Sequence, residues 1–88
     1  MDQTKTWRLG IHIDEHDDQT RARAHLVTDD NELTGHGVAR LNPRDADVPE
    51  IGDELAAARA LSDLAHQLLD AAAGDIEAVT HHRGVITL

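Results

Sequence analysis

Arginine and histidine side chains recur at alternate positions through the first half of this sequence, between apolar residues. The planar guanidinium group of arginine pairs with two oxygens of a phosphate or carboxylate, and histidine gains positive charge in mild acid. Side chains at alternate positions of an extended strand share one face, so these residues would form one cationic surface. The candidate binding residues are Arg8, His12, Arg21, Arg23, His25, His36 and Arg40.

Histidine also suggests a metal site, and His12, Asp14 and His16 would lie on one side of a strand end. A zinc ion needs three or four ligands in a closed geometry. Adjacent histidines such as His81 and His82 point apart in a strand, and no recurrent metal-ligand spacing is present. The sequence therefore predicts surface histidines, with no metal and no cofactor.

Residue types for covalent catalysis are scarce. The chain has no cysteine and no tyrosine, and Ser62 falls within a helical pattern without a nucleophile-elbow motif. Carboxylate pairs such as Asp17 and Asp18 fall in turns, where solvation explains them. Neither a Walker loop nor a GxGxxG motif is present. We therefore predict a non-enzymatic protein.

Three segments alternate apolar and polar residues with a period of two, which is typical of half-buried strands. They span residues 6–13, 20–28 and 32–41, and turns rich in Asp or Asn separate them. Segment 20–28 also contains the good helix formers Ala and Arg, but its period and flanking turns favour a strand. This assignment places the Arg/His side chains on one face, with no carboxylate expected on that face of strands two and three.

Gly35 and Gly37 fall on the apolar side of the third segment. Glycine weakens a strand, so two on one side need a reason, and close approach of another backbone is the simplest one. We predict that a helix backbone lies directly over both glycines.

The second half of the chain predicts one long helix. A linker follows Asn42 and Pro43, and the helix runs from about residue 50 to 73, with Pro49 in its first turn and Gly74 at its end. A short helical turn over 76–80 and an apolar tail over 85–88 follow. Apolar residues at spacings of three and four trace one stripe as the packing face. The stripe comprises Ile51, Leu55, Ala58, Leu61, Ala65, Leu68, Leu69 and Ala72, widened by Ala57, Ala60 and Leu64.

These elements give an α+β fold, a three-stranded antiparallel sheet followed by one long helix (β-β-β-α), as a single domain over residues 1–88. A chain of 88 residues buries only about 60–65% of its unfolded surface. Trp7 is the sole aromatic residue, and without cysteine no disulfide supplements the core. Oligomerisation is the supplement that remains.

The composition also bounds location and partners. No stretch approaches the roughly 18 apolar residues of a membrane span, residues 1–5 do not resemble a signal peptide, and the absence of cysteine fits the cytoplasm. The net charge is −9, with eight acidic and six basic residues over 1–44 and nine acidic and two basic residues over 45–88. An acidic protein would thus present a locally basic sheet face.

That face has three interpretations. It is a solvated surface balanced by acids of nearby loops, a dimer interface in which two sheets pair or stack, or a surface that contacts phosphate directly. The arginines suit phosphate, although no aromatic side chain accompanies them as a stacking platform.

Four phrases are long enough to carry a resemblance: IDEH (13–16), ARLNP (39–43), VPEIGDELAAARALSDLA (48–65) and DIEAVTH (75–81). The chain resembles a short actinobacterial family known as a double-stranded-RNA-binding-like domain of unknown function, with dormancy- and hypoxia-induced members. The resemblance covers nearly the whole chain. It implies a β-β-β-α core, a homodimer and a shape similar to ribosome hibernation-promoting factors, which bind the small subunit and silence translation.

Two functions follow as expectations. The first is a homodimeric stress- or dormancy-associated protein that acts on the ribosome or RNA through the Arg/His face. The second is a protein–protein interaction module with no nucleic-acid role, which uses the same face or the acidic helix. Binding to phosphate weakens steeply as salt rises, whereas an apolar interface does not, so salt separates the two.

Overall fold

The computed structural model describes residues 2–40 and 49–86, with side-chain surroundings over 2–40 and 50–80. Strands β1 (Arg8–His16), β2 (Gln19–Val27) and β3 (Glu32–Arg40) form an antiparallel sheet in the order β1-β2-β3. Helix α1 (Pro49–Ile86) lies on one face of the sheet, mainly over β3 and β2. The predicted α+β fold is confirmed, including a strand at residues 20–28. The predicted linker after Asn42 lies outside the described residues.

The β1–β2 hairpin turn is tighter than the sequence predicts. Asp14, Glu15 and His16 continue β1, and the turn contains only Asp17 and Asp18. Asp17 has a φ of 55°, a left-handed conformation that aspartate tolerates better than most residues because its short side chain hydrogen-bonds locally. Asp14 therefore lies within the sheet and not in the turn.

The core is built from small residues. Ala22, Ala24 and Leu26 of β2 are buried against Ala60 and Leu64 of α1, as the period of two predicts. Small side chains allow the helix backbone to lie close to the sheet, but each of them buries little apolar area. Among the residues whose side-chain surroundings are described, the buried ones are Ala22, Ala24, Leu26, Ala39, Ala56, Ala60 and Leu64.

Gly35 and Gly37 lie directly beneath α1, which confirms the predicted close approach. A Cβ atom added at Gly35 would overlap the carbonyl oxygen of Ala60, and one at Gly37 would overlap the carbonyl oxygen of Ala56. Helix backbone occupies the space that a side chain would need. The two glycines therefore position α1 over β3.

The predicted helix end is wrong, and so is most of the predicted packing face, of which only Ala60 and Leu64 are buried. Helix α1 continues through Gly74 to Ile86, so the predicted turn at 76–80 and the start of the tail belong to one helix. No glycine of the described residues has the positive φ of a helix-ending glycine. Ala56, Ala60 and Leu64 face the sheet, whereas most of the predicted stripe faces away from it. Ala56 and Ala60 lie over the strand glycines together with Leu64, and most of the other large aliphatic side chains of the helix point outward.

Side chains of α1 cover the free edge of β3. An edge strand presents unpaired backbone groups that invite pairing with another chain. Three helix side chains satisfy such groups here. The bonds run from the His36 N–H to Asp63 Oδ2 (2.8 Å), from Arg59 Nη1 to the Val38 carbonyl oxygen (2.6 Å) and from Gln67 Nε2 to the Thr34 carbonyl oxygen (2.7 Å).

We expect Asp63→Ala to lower the free energy of unfolding by about 1–3 kcal/mol, since a hydrogen bond to a charged group is lost and the His36 N–H is left unpaired. Asp70→Ala is the matched control, because Asp70 is exposed on the same helix. Chemical denaturation of both variants at equal protein concentration measures the difference. Equal midpoints would mean that the Asp63 carboxylate contributes nothing to stability.

Candidate binding face of the sheet

The helix-free face of the sheet carries every predicted binding residue. The strand register places His12 opposite Arg23 and Arg23 opposite His36, so these three side chains form a row across the sheet. We call this surface the Arg/His face. Its predicted members are Arg8, His12, Arg21, Arg23, His25, His36 and Arg40.

Period-two geometry explains the arrangement. Cross-strand partners point to the same side, and most partners of the Arg/His residues are polar or glycine, whereas Arg8 lies opposite Val27 and Arg21 opposite Val38. Arg40 lies opposite Gln19, His25 lies opposite Thr34, and Gly10 lies opposite His25. The inner side of β2 is buried alanine and leucine, so a one-residue slip would place arginine under the helix.

Two carboxylates also belong to this face, and the predicted absence of carboxylates on strands two and three is wrong. Glu32 begins β3 two positions before Thr34 and therefore points the same way, and its Oε2 lies 3.9 Å from His25 Nε2. Asp14 of β1 lies opposite Arg21. Four arginines against two carboxylates leave the face basic on a chain of net charge −9.

Local hydrogen bonds hold two of the face side chains. Gln19 Oε1 accepts from Arg21 Nε at 3.3 Å and from Arg21 Nη2 at 3.2 Å. His25 Nδ1 lies 3.0 Å from the Thr34 hydroxyl, which fixes the orientation of the imidazole ring. The bonds to Gln19 use Nε and Nη2 of Arg21. They orient the guanidinium group and leave Nη1 to donate hydrogen bonds to a binding partner.

An open depression of about 420 Å³ lies at the hairpin end of the face. Arg21 and Arg40 line it from neighbouring strands, together with the carboxylates of the turn. This combination suits a ligand with both acidic and hydrogen-bonding groups better than a bare anion. The lining residues are His16, Asp17, Asp18, Gln19, Arg21 and Arg40.

No group of three His, Asp or Glu side chains within the described residues could hold a metal ion. His12, Asp14 and His16 share one side of β1, but they do not form such a group. Also within the described part, no helix is both long and apolar enough to cross a membrane.

The chain matches a family model described as Rv2632c-like over residues 5–84. The chain belongs to the Rv2632c-like family. A family member from Mycobacterium bovis, the uncharacterized protein Mb1767, is 59% identical over 75 residues, which cover 85% of this chain and 80% of that protein. The uncharacterized protein Rv2632c of Mycobacterium tuberculosis is 53% identical over 77 residues, covering 88% and 83%.

The crystal structure of Rv2632c has the same fold. It superposes with a TM-score of 0.84 at 51% sequence identity and covers 91% of this chain and 95% of that one. The chain is thereby established as a member of a family of short mycobacterial proteins whose function is unknown. Similarity to double-stranded-RNA-binding domains and to hibernation factors stays a prediction, since these Rv2632c-like relatives are uncharacterised.

Sequence reasoning missed a second surface, the apolar side of β1. Leu9, Ile11 and Ile13 point to the same side of the sheet as α1, yet they are 40–48% exposed because the helix does not reach them. The signal was present in the spacing of Gly35 and Gly37, which places the helix over β3 and away from β1. Sequence reasoning also missed a third surface, since most apolar residues of the predicted helix stripe lie on the side of α1 that faces away from the sheet.

Proposed function

We propose that this chain is a non-enzymatic, homodimeric binding module whose Arg/His face contacts the phosphates of structured RNA, with the ribosome as the expected site of action. The observation that carries the proposal is the collection of four arginines and four histidines, His16 included, on one solvent-exposed, helix-free face. The association with stress and dormancy comes from the family resemblance and is part of the same proposal.

The chemistry of the face supports phosphate contact. Arginine presents a planar fork of donors that matches two phosphate oxygens. The row His12, Arg23 and His36 spans three strands at a spacing of about 5 Å, so neighbouring cationic groups can contact successive parts of one backbone. No aromatic side chain lies among them, so contact with the sugar–phosphate backbone is favoured over base stacking.

The first test compares two variants with the same change in charge. We expect Arg23→Glu to lower affinity for ribosomes or structured RNA by about tenfold or more, since a charge-assisted hydrogen bond contributes about 1.5–3 kcal/mol. Lys5→Glu is the control, because Lys5 is exposed and precedes β1 outside the face. Binding is measured by co-sedimentation at low and high salt, with Arg21→Glu plus Arg23→Glu as the stronger variant.

Salt dependence gives the second readout. Each neutralised phosphate adds roughly 0.7–0.9 to the slope of log affinity against log salt, so Arg23→Glu should flatten the slope. Equal affinities for the Arg23 and Lys5 variants would refute RNA binding through this face.

A protein-interaction module is the second candidate, favoured by the carboxylates of Asp14 and Glu32 within the face. Mixed charge suits a protein surface with alternating acids and bases more than a polyanion. Binding that is insensitive to salt and directed to a protein, with no RNA retained, would support this candidate over the first.

A further inference from the structure

We propose that a second copy of this chain covers two adjacent apolar surfaces, so that the helix of each copy lies on β1 of the other. The proposal deepens the homodimer of the proposed function and rests on it for the oligomeric state alone. The first surface, the bare strand side, comprises Leu9, Ile11 and Ile13. The second, the outer helix stripe, comprises Ile51, Leu55, Leu61, Leu69 and Ile76.

The bare strand side is the part of the sheet's apolar face that lies on β1, one of its three strands. Leu9 pairs with Leu26 and Ile11 with Ala24, so each pair points to the same side. Leu26 and Ala24 are 6% and 0% exposed beneath α1, whereas Leu9 and Ile11 are 48% and 40% exposed. The same apolar layer is thus covered on β2 and uncovered on β1.

The outer helix stripe lies opposite the residues that contact the sheet. Successive helix residues are rotated by about 100°, so Ile51 and Leu69 point almost directly away from Ala60. Both are more than half exposed, at 53% and 67%. Alanines 58, 65 and 72 lie between the larger residues and leave a smooth ridge. A helix that is apolar on both sides is typical of one with neighbours on both sides.

The exposed area fits an interface between copies. The chain exposes 7317 Å², about 2,200 Å² more than the roughly 5,100 Å² expected for a compact monomer of this size. A standard interface buries about 800 Å² per partner. Exposed residues 72–80 of α1 contribute to this surplus, and its size leaves room for a standard interface on each copy.

Shape favours a reciprocal arrangement of two identical copies. Each copy has one convex ridge, the outer helix stripe, and one flat floor, the bare strand side next to it. A two-fold axis seats each ridge on the partner's floor and satisfies both surfaces in a closed dimer. Asp63, Arg59 and Gln67 already cover the β3 edge, so growth of the sheet from that edge is blocked. The two Arg/His faces then lie on opposite outer sides of the dimer.

The test uses two double variants and their mixture. Leu9→Thr plus Ile11→Thr removes the floor while keeping residues that favour strands. Leu61→Gln plus Leu69→Gln removes the ridge while keeping good helix formers. Val27→Thr plus Val38→Thr is the control, since both valines are exposed on the opposite face of the sheet. Sedimentation velocity measures the oligomeric state, and circular dichroism checks the fold of each variant.

We expect the unsubstituted chain and the control to be dimers, and each double variant to dissociate with a dissociation constant raised by at least about 100-fold. Mixing the floor variant with the ridge variant should restore a heterodimer, because one intact ridge then meets one intact floor. A heterodimer in the mixture supports the reciprocal arrangement.

Three outcomes would overturn the proposal. A monomeric unsubstituted chain would mean that no second copy covers these surfaces. A ridge variant that stays dimeric would indicate edge-to-edge pairing of β1 instead. Two dissociated variants that do not associate when mixed would indicate that ridge meets ridge and floor meets floor. These measurements contain no RNA, so the phosphate-binding proposal stands or falls by the Arg23 experiment alone.

Discussion

Replacing Gly37 by alanine is expected to lower the free energy of unfolding by about 3 kcal/mol, at the upper end of the range for overpacked cores. The added Cβ atom would overlap the Ala56 carbonyl oxygen and the Ala60 amide nitrogen, and would lie 2.9 Å from Arg59 Cβ. Helix backbone cannot rotate out of the way as a side chain can. Relief requires α1 to lift from β3, which separates the alanine layer on which the core depends.

The loss is large for a domain of this size. The stability of small domains is about 5 kcal/mol at the low end of the range, so up to about 60% of it would be lost. One kcal/mol corresponds to about 4–8 °C in Tm for a domain of this length, and we expect Tm to fall by more than about 10 °C. Thermal and chemical denaturation at one fixed protein concentration provide the measurement, because the proposed dimer would make stability depend on concentration.

Gly10→Ala is the matched control for the Gly37 variant. Gly10 is also a strand glycine, but no atom lies within 4 Å of the Cβ position built on it. We expect its free energy of unfolding to change by no more than about 0.5 kcal/mol. If both alanine variants unfold at the same denaturant concentration, α1 does not rest on β3 as described. Gly35→Ala should behave like Gly37→Ala, since Ala60 lies over it in the same way.

The sequence predicts the sheet well for a physical reason. Alternation of Ala22, Ala24 and Leu26 with arginine leaves one sensible orientation for β2, because the opposite one would bury guanidinium groups. Gly35 and Gly37 then identify the side on which a backbone approaches. These local constraints determine the side of the sheet that carries the helix, and with it the Arg/His face.

The helix face could not be predicted from periodicity alone. A helix with one apolar stripe has one packing solution, but α1 has aliphatic residues around most of its circumference, so the larger side chains identify the wrong side. The useful signal is size matching: Ala56 and Ala60, four residues apart, complement the two strand glycines. Gly74 misleads for a related reason, since one glycine costs a helix only about 1 kcal/mol when apolar residues continue beyond it.

The candidate site also has one part that the sequence predicts and one part that it does not. Membership of the Arg/His face follows from local alternation and is predictable, including Arg23 at its centre. The exposure of β1 depends on where α1 crosses the sheet, which is a long-range property, and the only sequence signal for it is the glycine pair that places the helix over β3. Glu32 was predictable from its spacing to Thr34 and enters the face for that reason.

Trp7 offers the second large effect, because it is the sole aromatic residue and directly precedes β1. Its position continues the alternation of Leu9 and Ile11, and its side chain is 50% exposed. Tryptophan is enriched among residues that dominate interface energy, with losses of 2 kcal/mol or more on truncation. We therefore expect Trp7→Ala to raise the dissociation constant of the dimer by about 30-fold or more.

The single tryptophan also reports on the interface directly. In the unsubstituted dimer the partner's helix should shield the indole ring, and dilution below the dissociation constant should shift its emission to longer wavelength. Val38→Ala serves as the comparison, since Val38 is 42% exposed on the outer face and should leave the dissociation constant unchanged. An emission maximum that stays constant while sedimentation shows the dimer dissociating would place Trp7 outside the interface. The dimer interface would then begin at Leu9, because an indole ring that a helix covers loses contact with water and its emission must shift when the dimer dissociates.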